Sequence, residues 1–200
     1  MSNIVDKTKE YCLKIIRESN CKYLAFHNEE HTLDVLRNVR IIGEYEKISE
    51  RDMEILKIAA LFHDTGFSLD YSCHEESSVI LANNFLKQNN YKSDKLQTVI
   101  SLILATKMPQ NPMCEIEKIL CDSDLFHLAS DNFIVKNKLL RTEWENQINL
   151  KFEDLDWLNL NIEFLQNHKY KSNFGCIKLE KDKLKNIVLL EKEIKSKYSN

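Results

Sequence analysis

The chain has 200 residues, 43% hydrophobic and 30% charged, which excludes a disordered chain and gives one domain enough material for a core without disulfides or metal staples. Three Gly and two Pro, where average usage supplies roughly fourteen and ten, are too few for the turns of a many-stranded sheet and predict long helices. Lys and Arg total 28 against 31 Asp and Glu, so the net charge of −3 offers nucleic acid or an anionic membrane no bulk attraction.

Apolar spacing predicts a first helix over roughly 4–18 and a second from near Glu30, with Val35, Val39 and Ile42 on one stripe. A third opens at Ser49, where Ser-x-x-Asp to Asp52 reads as a capping box, and stops at Gly66, read as a left-handed terminator. Further helices are expected near 74–88, 94–107 and 115–129, roughly, and the break before the last holds Pro109 and Pro112. The C-terminal third reads as helices around 131–148 and 154–168, then a Lys-rich amphipathic one from about 180 to 197. The fold class expected is all-α, an irregular helical bundle in a single domain over 1–200.

The longest apolar run, about five residues at 58–62, is far short of the roughly 20 that a spanning helix needs. The opening MSNIVDKTKEYC carries charges where a signal peptide is apolar. The six cysteines form no C-x-x-C pair and read as reduced thiols. A cytoplasmic protein is expected, without a membrane or nucleic-acid partner, and with a homodimer left open.

Polar residues on core-facing stripes carry the chemistry, because burying them costs free energy unless something compensates. His63 follows Leu56 and Ala60 on one face, and His31 heads the stripe of Val35, Val39 and Ile42. Asp124 and His127 share a face with Ile116 and Leu120, whereas Asp122 is expected to point away with Lys118. Asp64 falls in the last turn of its helix, where exposed carbonyls make a carboxylate unfavourable without a cation. One His on an apolar face is more often a hydrogen-bonded core residue. The ordered set His31, His63-Asp64 and Asp124, from three helices, is what points to one divalent ion. Mixed His and carboxylate ligation suits Mn, Fe, Co, Ni or Zn and does not choose among them.

The segments FHNEEHTLDV (26–35), ALFHDTGF (60–67), HEES (74–77) and ILCDSDLFHL (119–128) resemble the motifs of the HD superfamily of metal-dependent phosphohydrolases. That family pattern is a His, a downstream His-Asp pair and a later Asp around a divalent metal, and it falls here on His31, His63, Asp64 and Asp124. The resemblance covers a core of about 23–130. LRTEWE (140–145) and FLQNHKY (164–170) look like the C-terminal part of small stand-alone HD proteins of bacteria, an extension over about 131–200. The two-metal branch adds a further His, which His74 matches, and a later tandem His pair, where Ala105-Thr106-Lys107 stands here. A mononuclear site is therefore expected, with Mg joining the candidate metals.

The resemblance implies hydrolysis of a phosphate ester of a nucleotide or related small molecule, a monophosphate or a cyclic nucleotide, by metal-activated water. Asp64 or Glu75 is expected to accept the water's proton, and His74 or His127 to protonate the leaving oxygen. Lys107 continues the stripe of Ile100, Ile103 and Leu104, so it either points inward to bind phosphate or snorkels from a helix end. Loops 65–73 and 108–113 are expected to frame the pocket, with Phe67 either stacking on a base or packing within its loop. The alternative is a catalytically silent HD fold that binds a nucleotide as a sensor.

Overall fold

Nine α-helices carry the fold in the computed structural model, which describes residues 3–198. They are α1 (Ile4–Glu18), α2 (Glu29–Tyr45), α3 (Glu50–Phe62), α4 (His74–Gln88), α5 (Ser93–Ala105), α6 (Glu115–Asp124), α7 (Phe133–Gln147), α8 (Asp154–Asn167) and α9 (Glu180–Tyr198). Short 3-10 turns at Asn20–Tyr23, Thr65–Ser68 and Leu125–Ala129 and a π turn at Gly175–Leu179 join them. The all-α class is as expected: among the described residues there is no strand. Nor is any helix there long and apolar enough to cross a membrane.

Local chemistry sets the starts. Asn28 caps α2 by accepting from the backbone N–H groups of Glu30 and His31 at 2.9 and 3.3 Å, which fixes His31 in the first turn. Ser49 caps α3 as expected, accepting from Asp52 N at 3.1 Å and donating to the Asp52 carboxylate at 2.7 Å.

The centre of the fold is α3, whose Ile55, Leu56, Ile58, Ala59, Leu61 and Phe62 are all buried, as a helix apolar on every side requires. Val35, Val39 and Ile42 of α2, Leu86 of α4, Leu102 and Ile103 of α5 and Leu120 of α6 close around it. A second cluster joins Leu128, Phe133, Leu158, Leu165, Leu179 and Leu190, so α7, α8 and α9 have their own core. Phe126 and Phe174 pack against both clusters.

Two expectations are corrected. The third helix ends at Phe62, not at Gly66, and none of the described glycines has a positive φ. Gly66 sits in a 3-10 turn pressed against the start of α4, where a Cβ would fall 1.9 Å from the His74 carbonyl oxygen and 2.5 Å from Ser78 N. Its N–H donates to Ser78 Oγ at 2.8 Å, and that hydroxyl donates to the His63 carbonyl at 2.7 Å. The glycine is needed for close approach.

Asp122 does not point away with Lys118. It is 1% exposed and accepts from Lys171 N at 2.8 Å, Ser172 N at 2.8 Å and Ser172 Oγ at 2.6 Å. The chain before the π turn covers this face of α6, so a face that reads as solvent-facing on one helix is an interior anchor. Burial pushes the Asp122 carboxyl pKa up against these hydrogen bonds.

Candidate metal centre

Three helix ends bring the four expected ligands together. His31 lies in the first turn of α2, His63 and Asp64 directly follow α3, and Asp124 is the last residue of α6. His31, His63 and Asp124 offer ligand atoms within 4.8 Å of one another. His31 Nε2 lies 3.3 Å from His63 Nε2 and 3.3 Å from Asp124 Oδ1. Asp64 Oδ2 is 3.2 Å from His31 Nε2 and 3.0 Å from His63 Nε2, and His63 Nε2 is 3.6 Å from Asp124 Oδ1. Ligands about 2.1 Å from one ion stand about 3.0 Å apart when adjacent at right angles, close to these spacings.

Asp64 Oδ2 is the telling atom. It is buried beside two imidazole nitrogens, yet among the described residues nothing is aligned to give it a hydrogen bond. It stands 3.2 Å from His31 Nε2 and 3.0 Å from His63 Nε2, close enough for all three atoms to share one ion. An orphaned buried carboxylate oxygen is costly unless an ion sits beside it. His63 fits the same reading: its Nδ1–H donates to the Ala60 carbonyl at 2.8 Å, which leaves Nε2 as the donor atom. The residues present fit one divalent cation.

Electrostatics follow from this crowding. Burial pushes the His63 and His31 pKa values down, but Asp64 and Asp124 outweigh it and hold His63 well above, and His31 above, the usual imidazole range. Burial likewise raises Asp64, and His63 and His31 overcome it, holding that carboxyl well below its usual range. Without metal the imidazoles thus keep protons that a metal must displace. The apparent metal affinity is expected to rise with pH from the ordinary imidazole range upward, until the raised His pKa values are passed. Calorimetry of Mn²⁺ binding near pH 6.5, in buffers of different ionisation enthalpy, is expected to report about one to two protons released per ion. A binding heat independent of buffer contradicts this.

The remaining expected residues divide. His74 opens α4 with Nε2 3.4 Å from Glu75 Oε1 and 3.7 Å from Asp64 Oδ1, and Glu75 is buried. Phe67 stacks on the His74 ring, with centroids 3.8 Å apart and planes at 12°. His127 turns its Nδ1–H to the Asp124 carbonyl at 3.2 Å, which leaves Nε2 as an acceptor. Burial, aided by the neighbouring His31, pushes its pKa down to about 4. Of the two roles the sequence leaves open for His127, proton donor or substrate-binding residue, the lowered pKa suits binding.

Lys107 does not point inward. Its side chain is 49% exposed and pairs with Glu76 on the surface. The helix ends at Ala105, and Leu104, its companion on the stripe, is itself 42% exposed. The stripe runs out to solvent.

Two residues were missed. His27 holds its Nδ1 against Glu143 Oε1, while Glu143 Oε2 accepts from Phe26 N at 2.7 Å and His27 N at 2.9 Å. Tyr71 Oη donates to Glu143 Oε1 at 3.2 Å. Glu143 is 1% exposed, and despite burial its partner His27 keeps the carboxyl below its usual range. His27 lies in the quoted FHNEEH and Glu143 in LRTEWE, but 116 residues separate them and no periodicity joins them.

A cavity of about 380 Å³ runs from Asp64, Asp124, His74 and Glu75 to Trp144, Trp157, Leu160 and Phe164. Phe67, Tyr71 and Met108 of the two expected loops border it. The opposite wall comes from α7 and α8, which the sequence reading did not place there.

Among known proteins, the model of the HD domain family matches residues 28–129. The Lin1889 protein of Listeria innocua aligns over 98% of this chain and 98% of its own, at 17% identity and a TM-score of 0.64. A predicted HD superfamily hydrolase from an uncultured Thermotogales bacterium aligns over 95% of this chain and 92% of its own, at 19% identity and a TM-score of 0.57. At these identities the likeness is one of fold. No curated protein matches.

Proposed function

The chain belongs to the HD domain family, and from that premise we propose that it is a metal-dependent hydrolase, specifically a phosphohydrolase acting on a nucleotide or related small phosphate ester. The observation that carries this reading is Asp64 Oδ2, buried, unbonded and 3.0 Å from His63 Nε2, in a donor set that fits one divalent ion. When bound, that ion supplies Lewis acidity at a phosphoryl oxygen and makes water acidic enough to react near neutral pH.

The rest is done by the chain's own side chains. His31, His63, Asp64 and Asp124 hold the ion. Glu75, buried beside His74, is placed to accept a proton from water. His127, neutral, accepts a hydrogen bond from substrate at Nε2. His27, its Nδ1 fixed by the Glu143 carboxylate, borders the cavity and is placed to give a proton to the leaving oxygen. In balance, the oxygen of water bonds to phosphorus and the ester P–O bond breaks. One proton ends on the leaving oxygen and the other on the released phosphate.

The test is elemental analysis of the purified protein, then phosphate release and ring opening across linear and cyclic nucleotides with Mn, Co, Ni, Mg or Zn. About one bound ion per chain and metal-dependent turnover of one substrate class are expected. A protein that takes up no divalent ion and hydrolyses nothing overturns the enzyme reading in favour of the silent nucleotide sensor.

A further inference from the structure

We propose that α7 and α8 form a receptacle for an apolar, planar substrate body, so that the enzyme selects phosphate monoesters carrying an aryl-like group. This rests on the phosphohydrolase reading and concerns the end of the cavity away from the metal ligands.

At about 380 Å³ the cavity lies within the range of small-molecule pockets. Its two ends differ in chemistry. One carries the carboxylates of Asp64, Glu75 and Asp124 with the imidazoles, and the other is walled by Leu140, Trp144, Trp157, Leu160 and Phe164. A divalent ion held there gives one phosphoryl group a direct ligand site, while its charge is already matched by Asp64 and Asp124. Neither Lys nor Arg is among the described residues that line the cavity, so further phosphates would find no fixed cationic side chain there. The body of the ester must then lie against aromatic and aliphatic walls, where apolar area leaving water is the driving force.

The far wall is also fixed in advance. Trp157 Nε1 donates to Asn137 Oδ1 at 2.7 Å, Asn137 Nδ2 donates to Asn161 Oδ1, and Asn161 Nδ2 donates to the Trp157 carbonyl at 2.7 Å. The indole N–H is thereby satisfied inside the protein, which leaves the ring free to pack as carbon surface. Trp144 stands edge-on to Trp157, with centroids 5.8 Å apart and planes at 89°. A wall held in place this way loses little freedom when a flat ligand settles on it. Both helices lie outside residues 28–129, so this selectivity belongs to the C-terminal extension.

The test compares 2-naphthylmethyl phosphate with glycerol 1-phosphate on the full-length, metal-loaded protein, since both release a primary alcohol. A kcat/KM ratio of about tenfold or more in favour of the naphthyl ester is expected, the discrimination an apolar pocket gives. Leu160→Gln, at a residue 41% exposed, and Trp144→Leu are each expected to lower that ratio by about fivefold. Equal turnover of the two esters, or a ratio unchanged in both variants, overturns the receptacle and leaves the hydrolase reading standing. If neither ester is cleaved, the hydrolase reading fails for these monoesters, and calorimetry of 2-naphthylmethylphosphonate against methylphosphonate decides the receptacle: preferred binding of the naphthyl compound supports it, and equal binding overturns it.

Discussion

Asp64→Ala is expected to leave the protein folded but inactive, with weakened binding of divalent metal and hydrolysis reduced by about a thousandfold or more. The size follows from what this carboxylate does. Its Oδ2 lies within 3.2 Å of both imidazole nitrogens, and removing it leaves His31 and His63 facing each other at 3.3 Å with half of their countercharge gone. His31, His63 and Asp124 remain as a two-His, one-carboxylate set, which holds a divalent ion with one ligand and one countercharge fewer. The fold survives because the residues that hold α3 in place, Leu56 and Ile58 to Phe62, are apolar and buried independently of Asp64. Metal binding by calorimetry, circular dichroism and phosphate release on one preparation check all three parts. An Asp64→Ala protein that binds divalent metal as tightly as the native chain contradicts the ligand assignment.

Local patterns made part of this site legible in the sequence. His31 and Asp124 sit on helices and His63 caps one, and the apolar stripes of those helices set a direction that can be read from spacing alone. The scarcity of Gly and Pro made the helical class legible in the same way. What could not be read depends on elements far apart in the chain. Asp122 and Asp124 are two residues apart on α6 and both turn inward, one toward α2 and α3, the other toward Lys171 and Ser172. A single stripe predicts one inward face, and α6 has two. Of the two readings open for Lys107, snorkelling from the helix end holds, since its stripe continues past the point where the core ends. Glu143, which holds His27, and the wall formed by Trp144 and Trp157 come from α7 and α8, far along the chain from the motifs that mark the site.

Gly66→Ala is expected to cost about 3 kcal/mol or more, because the added methyl meets backbone and cannot be accommodated by a rotamer change. The atoms it meets are the His74 carbonyl oxygen at 1.9 Å and Ser78 N at 2.5 Å, both at the start of α4. Relief therefore requires the whole N-terminal turn of α4 to move away, breaking the Gly66 N–H to Ser78 Oγ bond and the Ser78 bond to the His63 carbonyl. For a chain of 200 residues a loss of that size lowers the midpoint of thermal unfolding by roughly 6–12 °C. Gly43→Ala provides the contrast, since its Cβ meets only the tips of Met53 at 2.7 Å and Ile48 at 2.9 Å, flexible side chains that can turn aside. That change is expected to cost about 1 kcal/mol or less. The Gly66 substitution has a second consequence, because the turn that moves carries His74 and Glu75. Metal-loaded Gly66→Ala is therefore expected to lose turnover even at temperatures where it remains folded, whereas Gly43→Ala keeps it. A Gly66→Ala protein that melts within about 2 °C of the native chain contradicts the close packing of the turn on α4.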